Sequence, residues 1–352
     1  MQLNDELRKA GNEPAGADRR SVGFGFFSRL VTRMGVFFLM AIFMVAGVFI
    51  SDKFLTVANF SNIISAVALL GIVALGVSFV TYSGHFCDMT VPVIMAYSGI
   101  ISVATLKYGM FVSVVCGIGV GLVIGLVNAF VIGRLKANPI IWTLAFSYII
   151  SGYVRWAYSG RQIYPDVEAK GNPAVDIFIN LIRMDVVKGV PLVVFVMIVL
   201  AVACHLILTK TQFGQQLKLV GSSIEVARMT GVNTARTVGT AFMMSAFTAS
   251  IAGIFLASLS KVGAYYNGAG YDFSAVTAIV IGGMTLAGGR GSIIGVLGGV
   301  FTLGLLNNLM TLFQVGEFSI DTFSQNMIRG IIFILVVGLN ARSLRKMGRD
   351  DT

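Results

Sequence analysis

Residues 190–208 read VPLVVFVMIVLAVACHLIL, and residues 209–237, which follow directly, read TKTQFGQQLKLVGSSIEVARMTGVNTART. The first run is apolar over about 20 residues, the length that crosses a bilayer as a helix. The second run is polar and basic, and another apolar run begins at residue 238. Because basic loops stay on the cytoplasmic side of a membrane, this pattern predicts two spanning helices joined by a cytoplasmic loop.

The centre of the polar interval has the sequence of a short capped helix. Ser222 is predicted to accept a hydrogen bond from a backbone N–H three residues on, while Glu225 reaches back to the Ser222 amide, which makes a capping box. Gly231 is expected to close the helix in the left-handed conformation, so that the helix covers residues 223–230. A simple connector would not need such a defined helix, whereas a docking surface for a soluble partner would. We therefore expect a cytoplasmic partner to bind here.

The composition is that of a protein embedded in a membrane. Of the 352 residues, 56% are hydrophobic and only 12% are charged, and the mean hydropathy is +0.85. A soluble domain carries about 25% charged residues. The net charge of +10 does not indicate nucleic-acid binding, because much of the basic excess flanks apolar runs, where the positive-inside rule places it.

The apolar runs predict an all-α integral membrane protein with about ten transmembrane helices and both termini cytoplasmic. A basic tail, residues 1–33, precedes a single transmembrane domain over residues 34–340, and a second tail, residues 341–352, follows it. With this topology the basic loops all fall on one side of the membrane. The spans are predicted near residues 34–50, 63–82, 90–106, 110–133, 139–158, 190–208, 238–259, 273–286, 292–312 and 323–339.

Two of these spans carry glycines at intervals of four residues, and an asparagine follows each row. The rows are Gly117, Gly121, Gly125 and Asn128 in the fourth span, and Gly291, Gly295, Gly299 and Asn307 in the ninth. Spans four and nine would cross the membrane in opposite directions, which is the pattern of an inverted repeat relating spans 2–5 to spans 7–10. The glycines would let helix backbones pack closely. A chance resemblance is the alternative, since glycine is common in membrane helices.

Polar residues within or beside the apolar runs are the candidates for function. Asp88 and Thr90 lie in or next to an irregular break after the second span, and Asp88 either lines a translocation path or caps a helix. Asn128 and Asn307 either hydrogen-bond between helices or contact a solute. Asp272, at the predicted outer entrance to the eighth span, either meets an extracytoplasmic partner or caps that span.

The sequence does not have the pattern of an enzyme. It lacks the Gly-x-x-x-x-Gly-Lys-Ser/Thr loop that holds nucleotide phosphates, so we do not expect it to hydrolyse ATP. Its two histidines and three scattered cysteines have no metal-ligand spacing. No Gly-x-Ser-x-Gly nucleophile elbow stands between a strand and a helix. The prediction is a transport subunit without a metal or cofactor of its own.

Four stretches of the chain together have the sequence pattern of one known family. They are FLTVANFSNI at 54–63, TQFGQQLKLVGSSIEVARMTGVN at 211–233, GYDFSAVTAIVIGGMTLAGGRGSIIG at 270–295 and LNN at 306–308. These stretches resemble the membrane permease subunit of bacterial ABC importers of the ribose/xylose/galactoside type. One stretch departs from the family: GHFCDMTVP at 84–92 replaces the usual Gly-Ile-Asp-Leu-Ser-Val-Gly, with an inserted residue or two and a proline in place of a glycine.

The resemblance implies a multi-pass permease of the bacterial inner (plasma) membrane that moves a pentose, hexose or similar polyol-like solute by alternating access. A second permease copy or a sister permease would complete the path, a cytoplasmic ATPase would bind ATP and Mg, and a periplasmic or lipid-tethered sugar-binding protein would deliver the solute. The implied ATPase-coupling residues are Gly221, Ser222, Glu225, Ala227 and Gly231.

Two alternatives to a sugar permease stay open at this point. Permeases for branched-chain amino acids or nucleosides share the Gly-Gly-x-Gly-Ser turn that this chain has at residues 288–292. A stand-alone secondary transporter also uses inverted repeats. The basic polar interval and the scarcity of carboxylates within the spans argue against the second alternative.

Overall fold

The computed structural model describes residues 36–187, 190–315, 318–319, 321, 324–325, 327–332, 334 and 338. The predicted basic tails, residues 1–33 and 341–352, lie outside the described residues, as do parts of the tenth predicted span. Within the described part the chain is mostly helical, as the apolar runs predict.

The first half of the chain contains five long helices. They are α1 (Val36–Ile50), α2 (Val57–Tyr82), α3 (Val91–Thr105), α4 (Met110–Asn128) and α5 (Pro139–Ala157). A 3-10 turn, Leu106–Tyr108, follows α3, and a π-helical turn, Ala129–Arg134, continues α4.

The second half begins with short elements and continues with long helices. The short elements are α6 (Pro165–Glu168), α7 (Ala174–Asn180) and the antiparallel pair β1 (Asp185–Val187) and β2 (Val190–Pro191). The helices that follow are α8 (Leu192–Lys210), α9 (Gln212–Ser222), α10 (Ile224–Met229), α11 (Thr234–Ser260), α12 (Tyr271–Ile281) and α13 (Ile293–Leu312). A second antiparallel pair, β3 (Gln314–Val315) and β4 (Phe318–Ser319), comes after α13.

Local sequence sets where several of these helices begin. The side chains of Thr56, Asn138, Asn233 and Ser292 each accept a hydrogen bond from a backbone N–H in the first turn of α2, α5, α11 and α13 respectively. Such caps satisfy backbone donors that have no partner within the helix. In α5 the cap is followed by Pro139, whose fixed φ suits the first helical position.

Six helices in the described part of the chain are long and apolar enough to cross a membrane. They correspond to the second, third, fourth, sixth, seventh and ninth predicted spans. The fifth predicted span forms α5, which has 19 residues but falls outside these six. Its last turns hold Tyr153, Arg155 and Trp156, side chains typical of a membrane interface.

The eighth predicted span is shorter in the structure than in the prediction. It was expected near residues 273–286, but α12 ends at Ile281. Two glycines follow directly, and Gly283 has a φ of +84°, which a helix does not allow. The chain then runs as an irregular segment to α13.

The core is organised around α11, which packs against α2, α3 and α4. Its buried residues include many small ones, among them Ala246, Ala249 and Gly253. A Cβ at Gly253 would lie 2.6 Å from the Cα of Met95 in α3, so the two helix backbones are nearly in contact. Such close approach gives extensive van der Waals packing between membrane helices.

Each half of the bundle contains a long helix, an irregular break and a shorter helix. α2 (26 residues) is followed by a break at 83–90 and by α3 (15 residues). α11 (27 residues) is followed by a break at 261–270 and by α12 (11 residues). With the 3-10 turn that continues it, α3 reaches membrane length, whereas α12 measures about 16 Å at 1.5 Å per residue, less than the hydrocarbon core of about 30 Å. Both breaks bury polar side chains in the bundle, Asp88 in the first and Asn267 in the second.

Candidate functional site

The polar interval, residues 209–237, forms two helices, where the sequence predicted one. The second, α10, lies close to the predicted range of 223–230, and Gly231 after it has the predicted left-handed conformation, with a φ of +78°. The first, α9, was missed. Its buried residues Gly214, Leu217 and Val220 recur at helical spacing, and this was the signal that could have identified it.

The predicted capping box is wrong by one residue. Ser223, not Ser222, is the N-cap of α10, and its hydroxyl accepts a hydrogen bond from the Val226 N–H at 3.3 Å. Ser222 instead ends α9 and donates its hydroxyl proton to the Lys218 carbonyl at 2.9 Å. Because α9 continues through Ser222, that residue cannot also open the next helix. Glu225 is exposed in the first turn of α10, where the helix dipole favours a carboxylate.

Four glycines join the polar interval to the transmembrane helices by direct backbone contact, and we call this contact the glycine junction. The Gly289 N–H donates to the Tyr82 carbonyl oxygen at 2.9 Å. A Cβ at Gly221 would overlap that carbonyl oxygen and would lie 2.5 Å from the Gly289 nitrogen. A Cβ at Gly288 would lie 2.5 Å from the Gly84 nitrogen. The end of α9, the end of α2 and the turn before α13 therefore meet with no room for a side chain.

The helix on the other side of the junction, α10, is also seated against the bundle. Ala227, one of the predicted coupling residues, is fully buried, whereas its neighbours Val226 and Met229 are exposed. The exposed apolar side chains stand on the outer face of the polar interval. This face has the mixed apolar and charged character that a protein partner can bury.

Three of the four predicted path residues come together in one buried hydrogen-bond network, the Asp88 network. The Asp88 carboxylate accepts bonds from the Thr90 N–H at 3.0 Å, the Thr90 hydroxyl at 2.5 Å and the Ser245 hydroxyl at 3.0 Å. Asn128 donates to the Thr90 hydroxyl oxygen at 2.8 Å and accepts from the Trp142 Nε1–H at 3.0 Å. The network thus ties the first break to α4, α5 and α11. Asp88, Thr90 and Asn128 are all buried, so this geometry fastens helices together.

The fourth predicted path residue, Asn307, lies elsewhere in the bundle. Its Oδ1 accepts a hydrogen bond from the Nε of Arg329 at 2.9 Å. Asp272, the predicted contact for a binding protein, is half-buried in the first turn of α12, where the positive start of the helix favours a carboxylate. Its two alternative roles, capping α12 and meeting an extracytoplasmic partner, both stay predictions.

The glycines of the fourth span line the contact with α11. A Cβ at Gly121 would overlap the Ser250 hydroxyl oxygen, and one at Gly125 would lie 2.6 Å from the Ala246 Cβ. Gly117 is also tight, since its Cβ would lie 3.0 Å from the Ser98 carbonyl oxygen of α3. Each of these positions therefore excludes a larger side chain.

Two of the three glycines predicted in the ninth span have a comparable environment. A Cβ at Gly295 would overlap the carbonyl oxygen of Gly282, and one at Gly299 would overlap that of Ala278. Gly291, however, precedes α13 and has a φ of +146°, so it does not belong to the helical row. It allows the turn into α13, a role that needs glycine for its backbone conformation.

A polar cavity that the sequence did not reveal lies between α2, α13 and the helical residues around Arg329. It has a volume of about 500 Å³. We call it the amide cavity because most of its polar lining residues carry side-chain amides: Asn59, Asn62, Asn307, Asn308 and Gln325, together with Arg329. The asparagines stand in otherwise apolar helices, but nothing in their spacing shows that those of α2 and α13 meet.

Comparison with known proteins adds the decisive observation. The profile of a family described as branched-chain amino acid transport system / permease component matches residues 59–337. The chain belongs to this family. It is 31% identical over 325 residues to the L-arabinose transport system permease protein AraH of Escherichia coli, a match that covers 92% of this chain and 94% of AraH. No solved structure matches the chain at a significant level.

Two other relatives of this permease match over most of their length. The ribose import permease protein RbsC of Bacillus subtilis is 27% identical over 322 residues, which cover 90% of this chain and 95% of RbsC. The xylose transport system permease protein XylH of Haemophilus influenzae is 26% identical over 365 aligned positions, covering 88% and 95%. The family bears out the prediction that the chain is a membrane transport subunit and not an enzyme.

Proposed function

We propose that this permease is the transmembrane subunit of an ATP-binding cassette importer that carries a sugar of the pentose or hexose class across a bacterial inner membrane. The observation that carries the proposal is the nearly full-length similarity to permeases named for L-arabinose, ribose and xylose. The glycine junction supports it, because a cytoplasmic partner that moves α9 and α10 would act directly on the ends of α2 and α13.

The proposed complex contains three further kinds of subunit. A cytoplasmic ATPase that binds ATP and Mg would dock on α10, with Glu225, Ala227 and Gly231 in or beside the contact. A periplasmic or lipid-tethered binding protein would deliver the sugar to the opposite end of the bundle. A second permease copy or a sister permease would complete the translocation path. Closing the ATPases on ATP would then swing the coupling helices and exchange outward and inward openings.

The proposed topology is one transmembrane domain, residues 34–340, with about ten spans and both tails cytoplasmic. An inverted repeat is supported by matching contacts in the two halves. α4 packs on α11 and α13 packs on α2; likewise α3 packs on α11 and α12 packs on α2. The shared order of a long helix, a break and a short helix also supports it. Cysteine-accessibility labelling of residues 225 and 52 from each side would test the sidedness.

Transport by the reconstituted importer tests the function. Proteoliposomes that hold the permease, its ATPase and its binding protein are supplied with labelled L-arabinose, D-ribose, D-xylose or D-fructose, with and without ATP inside. Uptake of at least one sugar that depends on ATP is expected. Uptake of leucine or a nucleoside in place of every sugar would favour the alternative cargo, and equal uptake by the permease alone would show a secondary transporter.

A further inference from the structure

The amide cavity lies at the end of the bundle opposite the glycine junction. α2 ends at the junction and α13 begins close to it, so the start of α2 and the end of α13 lie together at the far end. Asn59 is near the start of α2, and Asn307 stands five residues before Leu312, the last residue of α13. At 1.5 Å per residue Asn307 is about 8 Å below that end of the helix. The cavity therefore reaches from the surface into the depth of the membrane.

Part of the lining is a hydrogen-bonded pair of amides, which we call the amide scaffold. Asn59 donates to the Oδ1 of Asn308 at 3.2 Å, and Asn308 donates back to the Oδ1 of Asn59 at 2.7 Å. Asn59 also donates to the Phe54 carbonyl oxygen at 2.9 Å. These bonds join the start of α2 to the end of α13. They hold one wall of the cavity in place, as a binding site requires.

Other polar atoms of the lining are not used by the scaffold. Arg329 donates to the Oδ1 of Asn307, but the Nδ2 of Asn307 has no hydrogen-bond partner among the described residues. The side-chain amide of Asn62 likewise has none in the described part of the chain. Hydrocarbon cannot satisfy such groups, so a site at membrane depth that exposes them must face water, a polar solute or another protein chain.

A second cavity of about 580 Å³ adjoins the first at Arg329, which lines both. It is bordered by Phe273, Ser274 and Thr277 of α12 and by Leu303 of α13. Leu303 lies one helical turn deeper in the membrane than Asn307. The two cavities thus share Arg329 as a common wall, and both volumes fall in the range of small-molecule sites, about 300–1,000 Å³.

The side chains that line the two cavities favour some classes of solute over others. The amides, the guanidinium and the hydroxyls of Ser274, Thr277 and Thr311 offer both donors and acceptors, which match the hydroxyl groups of a neutral polyol. Phe273 and the apolar side chains beside it offer surfaces for the sugar carbon atoms. No carboxylate is among the described residues that line either cavity, so a zwitterionic amino acid would leave its ammonium group without a counter-charge.

We infer that the amide cavity and the cavity adjoining it at Arg329 form a binding site for the hydroxyl groups of the transported sugar on its way through the permease. This inference rests on the proposed function. Asn62 and Asn307 contribute the hydrogen-bonding groups, and the Asn59–Asn308 pair positions them. A site built from a few such bonds holds its solute weakly, which lets the sugar leave again.

The test uses the complete importer and whichever of the four sugars the wild type takes up. Asn62→Leu removes both polar atoms of an exposed side chain, and Asn307→Asp replaces the unused Nδ2 donor with a second carboxylate oxygen while keeping an oxygen for Arg329. Each is expected to lower the uptake rate about tenfold at subsaturating sugar, since each deletes a hydrogen bond to the solute. ATP hydrolysis stimulated by the binding protein should stay within twofold of wild type. The matched controls Asn180→Leu and Asn180→Asp change an exposed amide on α7, outside both cavities, and should transport normally.

Sugar protection gives a second measurement that does not depend on transport rates. Asn62→Cys should react with a membrane-impermeant thiol reagent, and the transported sugar should slow that reaction. Wild-type uptake by both cavity variants would overturn the assignment of the site to sugar. The assignment would also be overturned if sugar did not slow the labelling and if a phospholipid that co-purifies with the wild type were lost from Asn62→Leu. If the wild type takes up no sugar at all, the proposed function has failed and the inference falls with it.

Discussion

Replacing Gly221 with alanine tests whether the glycine junction fastens the polar interval to the transmembrane helices. The new Cβ would overlap the Tyr82 carbonyl oxygen and lie 2.5 Å from the Gly289 nitrogen. The hydrogen bond between those two groups, now 2.9 Å long, would have to break or α9 would have to move away. Leaving a buried backbone pair unsatisfied costs about 1–3 kcal/mol, and overpacking adds about 1–3 kcal/mol.

The expected loss of about 2–6 kcal/mol is a large part of the 5–15 kcal/mol that stabilises a typical domain. We expect the melting temperature of the purified permease to fall by at least about 5 °C and ATP-dependent uptake to be lost. Gly152→Ala is the matched control, because it is also helical and its Cβ would meet nothing within 4 Å. A Gly221→Ala permease that melts and transports like the wild type would show that the backbones have room for a side chain at the junction.

Three more substitutions test the remaining parts of the molecule. Glu225→Arg places a cation in the first turn of α10, which costs only about 0.3–1 kcal/mol of helix stability. The protein should still insert in the membrane but should lose uptake. Full uptake would count against ATPase docking at α10. Gly121→Leu should prevent normal folding or assembly because its side chain would meet Ser250. Gly119→Leu lies on the same helix, has no atom within 4 Å of its Cβ and should express normally. Equal expression of the two variants would show that the close packing at Gly121 is incidental. Asp88→Ala removes three buried hydrogen bonds, each of which contributes about 1 kcal/mol to stability. The melting temperature of the purified permease should therefore fall by several degrees. An unchanged melting temperature would mean that the Asp88 network does not stabilise the bundle.

Whole membrane-spanning helices were easier to predict from the sequence than the residues at which individual helices begin and end. Long apolar runs predicted six of the membrane-length helices within a few residues at most ends, because burial in lipid depends on composition along one segment. The predicted helix ends were less accurate. The N-cap of α10 is Ser223 and not Ser222, and α12 ends before Gly282 and Gly283, earlier than predicted. In both cases a competing local preference, the continuation of α9 or a left-handed glycine, decided the boundary.

The candidate site was only partly visible in the sequence. Asp88, Thr90 and Asn128 were identified one by one as polar residues in an apolar chain, but nothing in their spacing showed that they bond to one another. Asn307 was identified with them, but it lies apart from the Asp88 network and lines the amide cavity beside Arg329.

Hydrophobicity and charge along the chain were enough to establish that this is a helical membrane protein, where its main spans lie, and that a basic interval with a short helix interrupts them. These features depend on hydrophobicity and charge along contiguous residues, because each segment partitions into the bilayer according to its own composition. The packed structure was needed to show that Tyr82, Gly221 and Gly289 contact one another through backbone atoms, and that the asparagines of α2 and α13 line one cavity. Such contacts join residues far apart in the chain, so they exist only once the helices have packed.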